Sequence, residues 1–89
     1  SYPNPFNAST VIPFHVDGGA SAPRGVTLDI VDVTGRRVRT LVDRALVSGS
    51  YSKVWDGTDN AGRSVASGVF LAHLRVDGDT ATHKLVLLR

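Results

Sequence analysis

Apolar and polar positions alternate along most of this chain with a period of two, which is typical of strands that bury one face. The clearest stripe is formed by Phe70, Ala72, Leu74 and Val76. Pro13 has no N–H to donate to a strand ladder, so the first strand is expected at a sheet edge. The alternation predicts strands at residues 10–16, 26–30, 37–42, 50–55, 65–76 and 80–88.

Glycine and aspartate clusters separate these strands and mark turns. Asp32 opens a turn in which Gly35 takes the left-handed position, so a hairpin is expected there. Residues 43–49 are irregular, residues 56–62 form an acidic, glycine-rich loop, and residues 77–79 turn the chain before the last strand. No segment has a convincing helical period. Six or seven short strands with a turn signal about every 8 to 12 residues indicate an all-β fold, an antiparallel β-sandwich.

Composition narrows the classes of protein to which the chain belongs. Its 89 residues allow a single domain, residues 1–89, in which residues 1–9 form an extended lead-in because they contain two prolines. There is no cysteine, which excludes disulfides and cysteine-based metal sites. Net charge is +2 and the arginines are scattered, so no nucleic-acid partner is expected. No apolar run approaches the roughly 18 residues of a membrane span, and no membrane insertion is expected. The start at Ser1, without methionine, suggests a piece of a longer protein.

No constellation of residues indicates catalysis. The chain lacks a nucleophile elbow, and no glycine-rich loop joins a strand to a helix as in phosphate-binding loops. We therefore expect a non-enzymatic domain without a cofactor. His73 and His83 would face each other if residues 77–79 formed a three-residue turn, and could then bind a transition metal or sense pH. A two-residue turn would break that pairing.

The acidic loop after Trp55 has two interpretations. Asp56, Asp59 and Asn60 carry the oxygen ligands that calcium prefers, although their spacing does not match an EF-hand loop. Asp and Asn also cap turns by accepting hydrogen bonds from nearby backbone N–H groups, and we favour this interpretation. No metal is therefore predicted, and these three residues are the ligands if calcium binds.

The last predicted strand is apolar on both faces in its second half. Leu85 and Leu87 lie on one face, and Val86 and Leu88 lie on the other. A strand packed against one layer exposes its other face, so the apolar outer face is covered either by the chain's own loops or by a partner. The second case predicts docking of another protein, or self-association, through this strand by β-augmentation.

Four segments, in order, resemble a known family. They are YPNPFNAST at residues 2–10, VDVTGRRV at 31–38, LVSGSYSKVWDGTDNAGRSVASGVF at 46–70, and KLVLLR at 84–89. The chain resembles the immunoglobulin-like C-terminal modules of large bacterial secreted proteins. These modules are related to type IX secretion sorting domains and to the Ig-like domain of the flagellar hook-capping protein. Ala8 stands where that family usually has proline, and Val31 where an aromatic residue is more common.

This resemblance implies an immunoglobulin-like sandwich of about seven short strands, located at the bacterial cell surface or in the medium. The leading functional hypothesis is a non-catalytic sorting and anchoring module that directs export of a larger protein through secretion machinery. The alternative is a structural assembly module, such as a hook-cap-like subunit, a stalk spacer or a self-associating filament subunit, whose partners are neighbouring subunits. The recognition strand would consist of Lys84, Leu85, Val86, Leu87, Leu88 and Arg89. The structural motif residues are Pro3, Asn4, Pro5, Phe6, Gly35, Trp55, Asp56, Gly57, Gly62 and Gly68.

Two aromatic residues of these motifs have physical roles of their own. Pro3 and Pro5 restrict the backbone around Phe6, which would let Phe6 plug an end of the sandwich at little entropic cost. The alternative for Phe6 is a binding epitope. Trp55, at a predicted strand end, is expected in the core, where its indole N–H will need an acceptor.

Overall fold

Six antiparallel strands make up the domain in the computed structural model, which describes residues 9–17 and 22–88. The strands are β1 (Thr10–Val16), β2 (Arg24–Asp32), β3 (Arg37–Leu46), β4 (Gly49–Trp55), β5 (Gly68–Val76) and β6 (Asp79–Leu87). The all-β fold class is confirmed. Six strands are found among the described residues, one for each predicted range, and β5 begins at Gly68 because residues 65–67 lie in a loop.

The strands form two unequal layers. One sheet has four strands in the order β3-β2-β5-β6, and the other pairs β1 with β4. Apolar side chains from both layers meet between them, as the alternation along each strand predicts. The most deeply buried of these large side chains are Trp55, Leu28, Ile30, Val16 and Val26.

Trp55 closes one end of this core. Its side chain has no exposed surface, and its ring meets Phe70 edge-to-face with the centroids 5.1 Å apart. The indole N–H donates to the backbone carbonyl of Thr58 at 2.9 Å. Both predictions made for Trp55, its place in the core and its need for an acceptor, are confirmed.

One predicted strand boundary changes, and one slip in the alternation is explained, by pairing with residues distant in the sequence. β3 runs on to Leu46 through residues that look irregular in sequence, because Ala45 and Leu46 pair with the start of β2. The alternation in β2 slips at Ile30 and Val31, and the ladder to β3 has an irregularity at that step. An extra residue in one strand of a pair produces such a slip without ending the strand.

Of the two turns considered before β6, the two-residue turn is found, so His73 and His83 do not face each other. The turn between β5 and β6 contains two residues, Asp77 and Gly78, so Val76 pairs with Asp79. His73 therefore lies opposite Thr82, one residue away from His83. Asp77 takes the positive φ of 52° that this tight turn requires.

Candidate functional site

β6 forms one outer edge of the four-stranded sheet. It pairs with β5 along its full length, from Asp79 to Leu87. In the part of the chain that the structure describes, no strand pairs with the other side of β6. Its outward N–H and C=O groups are therefore available to another extended chain.

The outer face of β6 is apolar and exposed near its end. Leu87 points inward and is only 3% exposed, whereas Val86 points outward and is 55% exposed. Val86 pairs with Val69 of β5, which is 40% exposed, and Leu88 follows with 75% exposed. We call Val69, Val86 and Leu88 the outer patch. The described part of the chain leaves this patch in solvent.

The acidic loop covers part of the opposite edge of the same sheet, at Val38 and Thr40 of β3. Asn60 donates its backbone N–H to the carbonyl of Val38 at 3.0 Å, and its side-chain Oδ1 accepts the N–H of Thr40 at 3.0 Å. Arg39 also reaches into the loop, donating from Nη1 to Oγ1 of Thr58 at 2.7 Å. The loop thus occupies edge groups of β3 that would otherwise be open, while β6 has no equivalent among the described residues.

The carboxylates of the acidic loop are engaged in turn hydrogen bonds. Oδ1 of Asp56 accepts from the N–H and the hydroxyl of Thr58. Oδ1 of Asp59 accepts from the N–H groups of Ala61 and Arg63, both at 2.9 Å. These contacts support the turn interpretation of Asp56 and Asp59, and the Asn60 contact to β3 extends it. Among the described residues, no three His, Cys, Asp or Glu side chains are grouped closely enough to hold a metal ion.

The loop at Asp59 repeats the geometry of the hairpin loop at Asp32. Each is an Asp-x-x-Gly-Arg segment in which the Asp N–H bonds the Arg carbonyl and the Gly N–H bonds the Asp carbonyl. Gly35 and Gly62 have positive φ values of 88° and 82°. The sequence predicted the first of these turns at Asp32 and missed its equivalence with the second, although the repeated spacing was a readable signal.

The same hydrogen bonds shift the acidities of these aspartates. The hydroxyl of Thr34 is the main cause that lowers the pKa of Asp32, followed by the N–H of Arg36. For Asp59, the N–H of Arg63 is the main cause of a lowered pKa. Hydrogen bonds that favour the charged form explain the direction of each shift. The loops are thus held most firmly when their carboxylates are ionised.

The remaining motif residues fall partly outside the described chain. Pro3, Asn4, Pro5, Phe6 and Arg89 lie outside the described residues. Gly57, two residues after Trp55 in the sequence, is buried and has a positive φ of 77°. Gly68 begins β5 and pairs with Leu87. No helix in residues 9–17 and 22–88 has the length and apolar character needed to cross a membrane.

Comparison with known proteins gives matches at the level of family and fold. The sequence matches the family described as FlgD Ig-like domain over residues 7–79. No curated protein matches the chain.

Two solved structures are similar. The crystal structure of FlgD from P. aeruginosa is 24% identical with a TM-score of 0.60, covering 92% of this chain and 63% of that chain. FlgD from Xanthomonas campestris, described in connection with hook capping in flagellar assembly, is 23% identical with a TM-score of 0.49, covering 91% of this chain and 67% of that chain. The chain thus spans less than two thirds of the P. aeruginosa structure, and that likeness supports the fold. Since the family match extends over most of the sequence, the chain belongs to the FlgD Ig-like domain family.

Proposed function

We propose that this domain is a structural assembly module that docks neighbouring protein subunits through the edge of β6. The comparisons support the resemblance to the flagellar hook-capping protein and give no support to the resemblance to type IX sorting domains. The Xanthomonas campestris protein is described as acting in hook capping. We extend an assembly role of that kind to this chain because the chain belongs to the FlgD Ig-like domain family. The location consistent with this role is outside the cell, on an exported assembly.

The observation that supports docking through β6 is the contrast between the two edges of one sheet. Proteins protect sheet edges because an open edge pairs with other chains. Here the loop around Asn60 occupies edge groups of β3 at Val38 and Thr40, whereas within the described residues no strand pairs with the outer edge of β6 beside the outer patch. A partner strand added to β6 would gain main-chain hydrogen bonds and bury Val86. Binding, rather than catalysis, is the activity that this surface supports.

Substitution of Val86 tests the proposal. Fully burying a valine contributes roughly 1.5–3 kcal/mol, so covering the exposed half of Val86 contributes about 1 kcal/mol, and a lysine there must also be desolvated. We expect Val86→Lys to weaken self-association of residues 1–89 at least about tenfold, since about 1.4 kcal/mol corresponds to a factor of ten. Sedimentation velocity across a wide range of protein concentration measures the effect.

Val54→Lys is the matched control. Val54 is 58% exposed on the outer face of β4, so it has the residue type and exposure of Val86 but belongs to the other sheet. We expect this variant to associate like the unmodified chain. If Val86→Lys and Val54→Lys behave alike, or if the unmodified chain shows no association at any concentration, docking through β6 is wrong.

A further inference from the structure

Two loops of the same geometry lie side by side at the β3 edge of the domain. The hairpin loop at Asp32 and the acidic loop at Asp59 share one pattern of turn hydrogen bonds, in which Arg36 and Arg63 take the equivalent last position. A cavity of about 240 Å³ lies between the loops, and we call it the loop cleft. Its lining consists of Arg36, Arg37, Val38, Asp59, Asn60, Ala61 and Val65.

Oxygen acceptors beside the loop cleft are engaged in holding the loops. Oδ1 of Asp32 accepts three hydrogen bonds from its own loop, and Oδ1 of Asp59 accepts two from its loop. Oδ1 of Asn60 accepts the N–H of Thr40 in β3, so the Nδ2 donors of the same amide remain for another group. A ligand that donates hydrogen bonds would therefore compete with contacts that stabilise the loops.

The guanidinium groups at the loop cleft, in contrast, keep donors that no carboxylate of the described residues accepts. Nε of Arg37 lies 3.7 Å from Oδ1 of Asp29, and Nε of Arg63 lies 3.9 Å from Oδ2 of Asp59, both longer than a hydrogen bond. The side chains of Arg37 and Arg63 are 63% and 81% exposed. Arg36 is exposed as well, and its guanidinium has no ion pair within the described ranges. Each of these groups has several N–H donors to offer.

Arg39 shows how an arginine of this region is used for structure. Its Nη1 donates to Oγ1 of Thr58 at 2.7 Å and to the carbonyl of Asp59 at 3.1 Å, which ties the acidic loop to β3. Arg36 and Arg63 have no hydrogen bond of this kind from their guanidinium groups to the described residues. Besides the N–H of Arg63, the main cause, the charges of Arg63 and Arg36 also lower the pKa of Asp59, so both arginines lie near this carboxylate.

We propose that the loop cleft binds a glutamate side chain in an extended acidic segment of a partner protein. A carboxylate accepts two N–H groups of one guanidinium at once, and charge-assisted hydrogen bonds are roughly twice as strong as neutral ones. Arginine clusters are a recurring means of recognising acidic motifs. Since a cavity of about 150 Å³ is large enough for benzene, the loop cleft has room for a glutamate side chain. Val38 and Ala61 line the cleft and can pack against its methylene groups.

Recognition in the loop cleft depends on short-range geometry more than on net charge. The three arginines have Asp29, Asp32 and Asp59 close to them in the fold or in the same loops, so the long-range field is small. Binding therefore requires hydrogen bonds to the guanidinium groups and to Nδ2 of Asn60. The loop cleft lies at the β3 edge of the sheet, opposite β6. It adds a second contact to the proposed assembly function, on which it rests only for the identity of the partner as a neighbouring subunit.

A fluorescently labelled hexaglutamate peptide tests the proposal, with its binding to residues 1–89 followed by fluorescence anisotropy. We expect the double variant Arg36→Gln, Arg63→Gln to weaken binding at least about tenfold, because hydrogen bonds to charged groups contribute roughly 1.5–3 kcal/mol. The double variant Arg44→Gln, Arg75→Gln is the matched control. It makes the same change of charge at two exposed arginines outside the loop cleft, and should bind within about twofold of the unmodified chain. Labelled hexaglutamine should not bind.

Asn60→Asp tests the cleft without removing an arginine. The new carboxylate can still accept the N–H of Thr40, but it replaces the Nδ2 donors by a like charge, so peptide binding should fall at least about tenfold. This variant decides the question if circular dichroism shows that the Arg36 and Arg63 double variant is unfolded.

Three results would overturn the proposal: no binding of hexaglutamate, equal losses in the two double variants, or unchanged binding in Asn60→Asp. Tighter binding of a single-stranded DNA hexamer than of hexaglutamate would also overturn it, in favour of a nucleic-acid partner. Val86→Lys is expected to bind the peptide like the unmodified chain. Loss of the docking proposed for β6 would therefore show in sedimentation alone, and failure of the loop cleft in peptide binding alone.

Discussion

The hydrogen bond from the buried Trp55 to the half-buried Thr58 gives a sharp test of how this small core is stabilised. Trp55→Phe keeps an aromatic ring against Phe70 and removes the indole N–H that donates to the carbonyl of Thr58. The carbonyl then loses this donor at the end of the core. The second ring is also removed from a side chain that has no exposed surface, so a cavity remains.

The expected cost follows from these two losses. A buried polar group left without a partner costs about 1–3 kcal/mol. The cavity adds roughly 1 kcal/mol, at about 24 cal/mol per Å³ of residual volume. We therefore expect Trp55→Phe to lower the free energy of unfolding by about 3 kcal/mol. For a domain of this size that corresponds to a fall in Tm of roughly 12–24 °C.

Guanidinium denaturation followed by far-ultraviolet circular dichroism measures the change without relying on the removed tryptophan. Tyr51→Phe is the control, because it removes a similar donor from an aromatic ring, the hydroxyl that bonds the carbonyl of Val47 at an exposed site. Water can replace that bond, so its loss should cost less than about 1 kcal/mol. If the two variants lose equal stability, the reasoning about the buried bond is wrong.

Two further predictions concern the loops. Gly35→Ala should destabilise the domain by about 1 kcal/mol, because Gly35 has a φ of 88° and a methyl group there would touch nothing that could compensate. Gly78→Ala, at an equally open position without that backbone requirement, should be neutral or slightly stabilising in the same thermal melt, and equal losses would contradict the argument. The lowered pKa values of Asp32, Asp56 and Asp59 give a pH dependence. Their contribution to stability is complete above the unfolded pKa of about 3.9 and is lost as pH falls through the lower folded values. Thermal melts below pH 4 should therefore show declining stability, with a smaller decline in Asp32→Asn, and stability that rises on acidification would refute this sign.

Local sequence was sufficient to predict the strands and most turns. Alternation within each segment depends on neighbouring side chains facing opposite sides, so 10–16 was predicted as the structure has it and 50–55 to within a residue. The turn at Asp32 was also predictable, because an aspartate and a left-handed glycine form it with their own backbone groups. The two-faced apolar character of residues 85–88 was likewise visible in the sequence.

The partners of each strand were not visible, since pairing depends on backbone groups that are distant along the chain and identical in every residue. The extension of β3 to Leu46 comes from pairing with β2, and the separation of the two histidines comes from one residue fewer in a turn. Asn60 covers β3 because the loop folds over that edge, and nothing in its local sequence indicates this. The alternation of apolar and polar residues along a strand indicates which side chains point inward. Only the assembled layers decide which edges stay open, and thus that β6 offers its outer edge within the described residues.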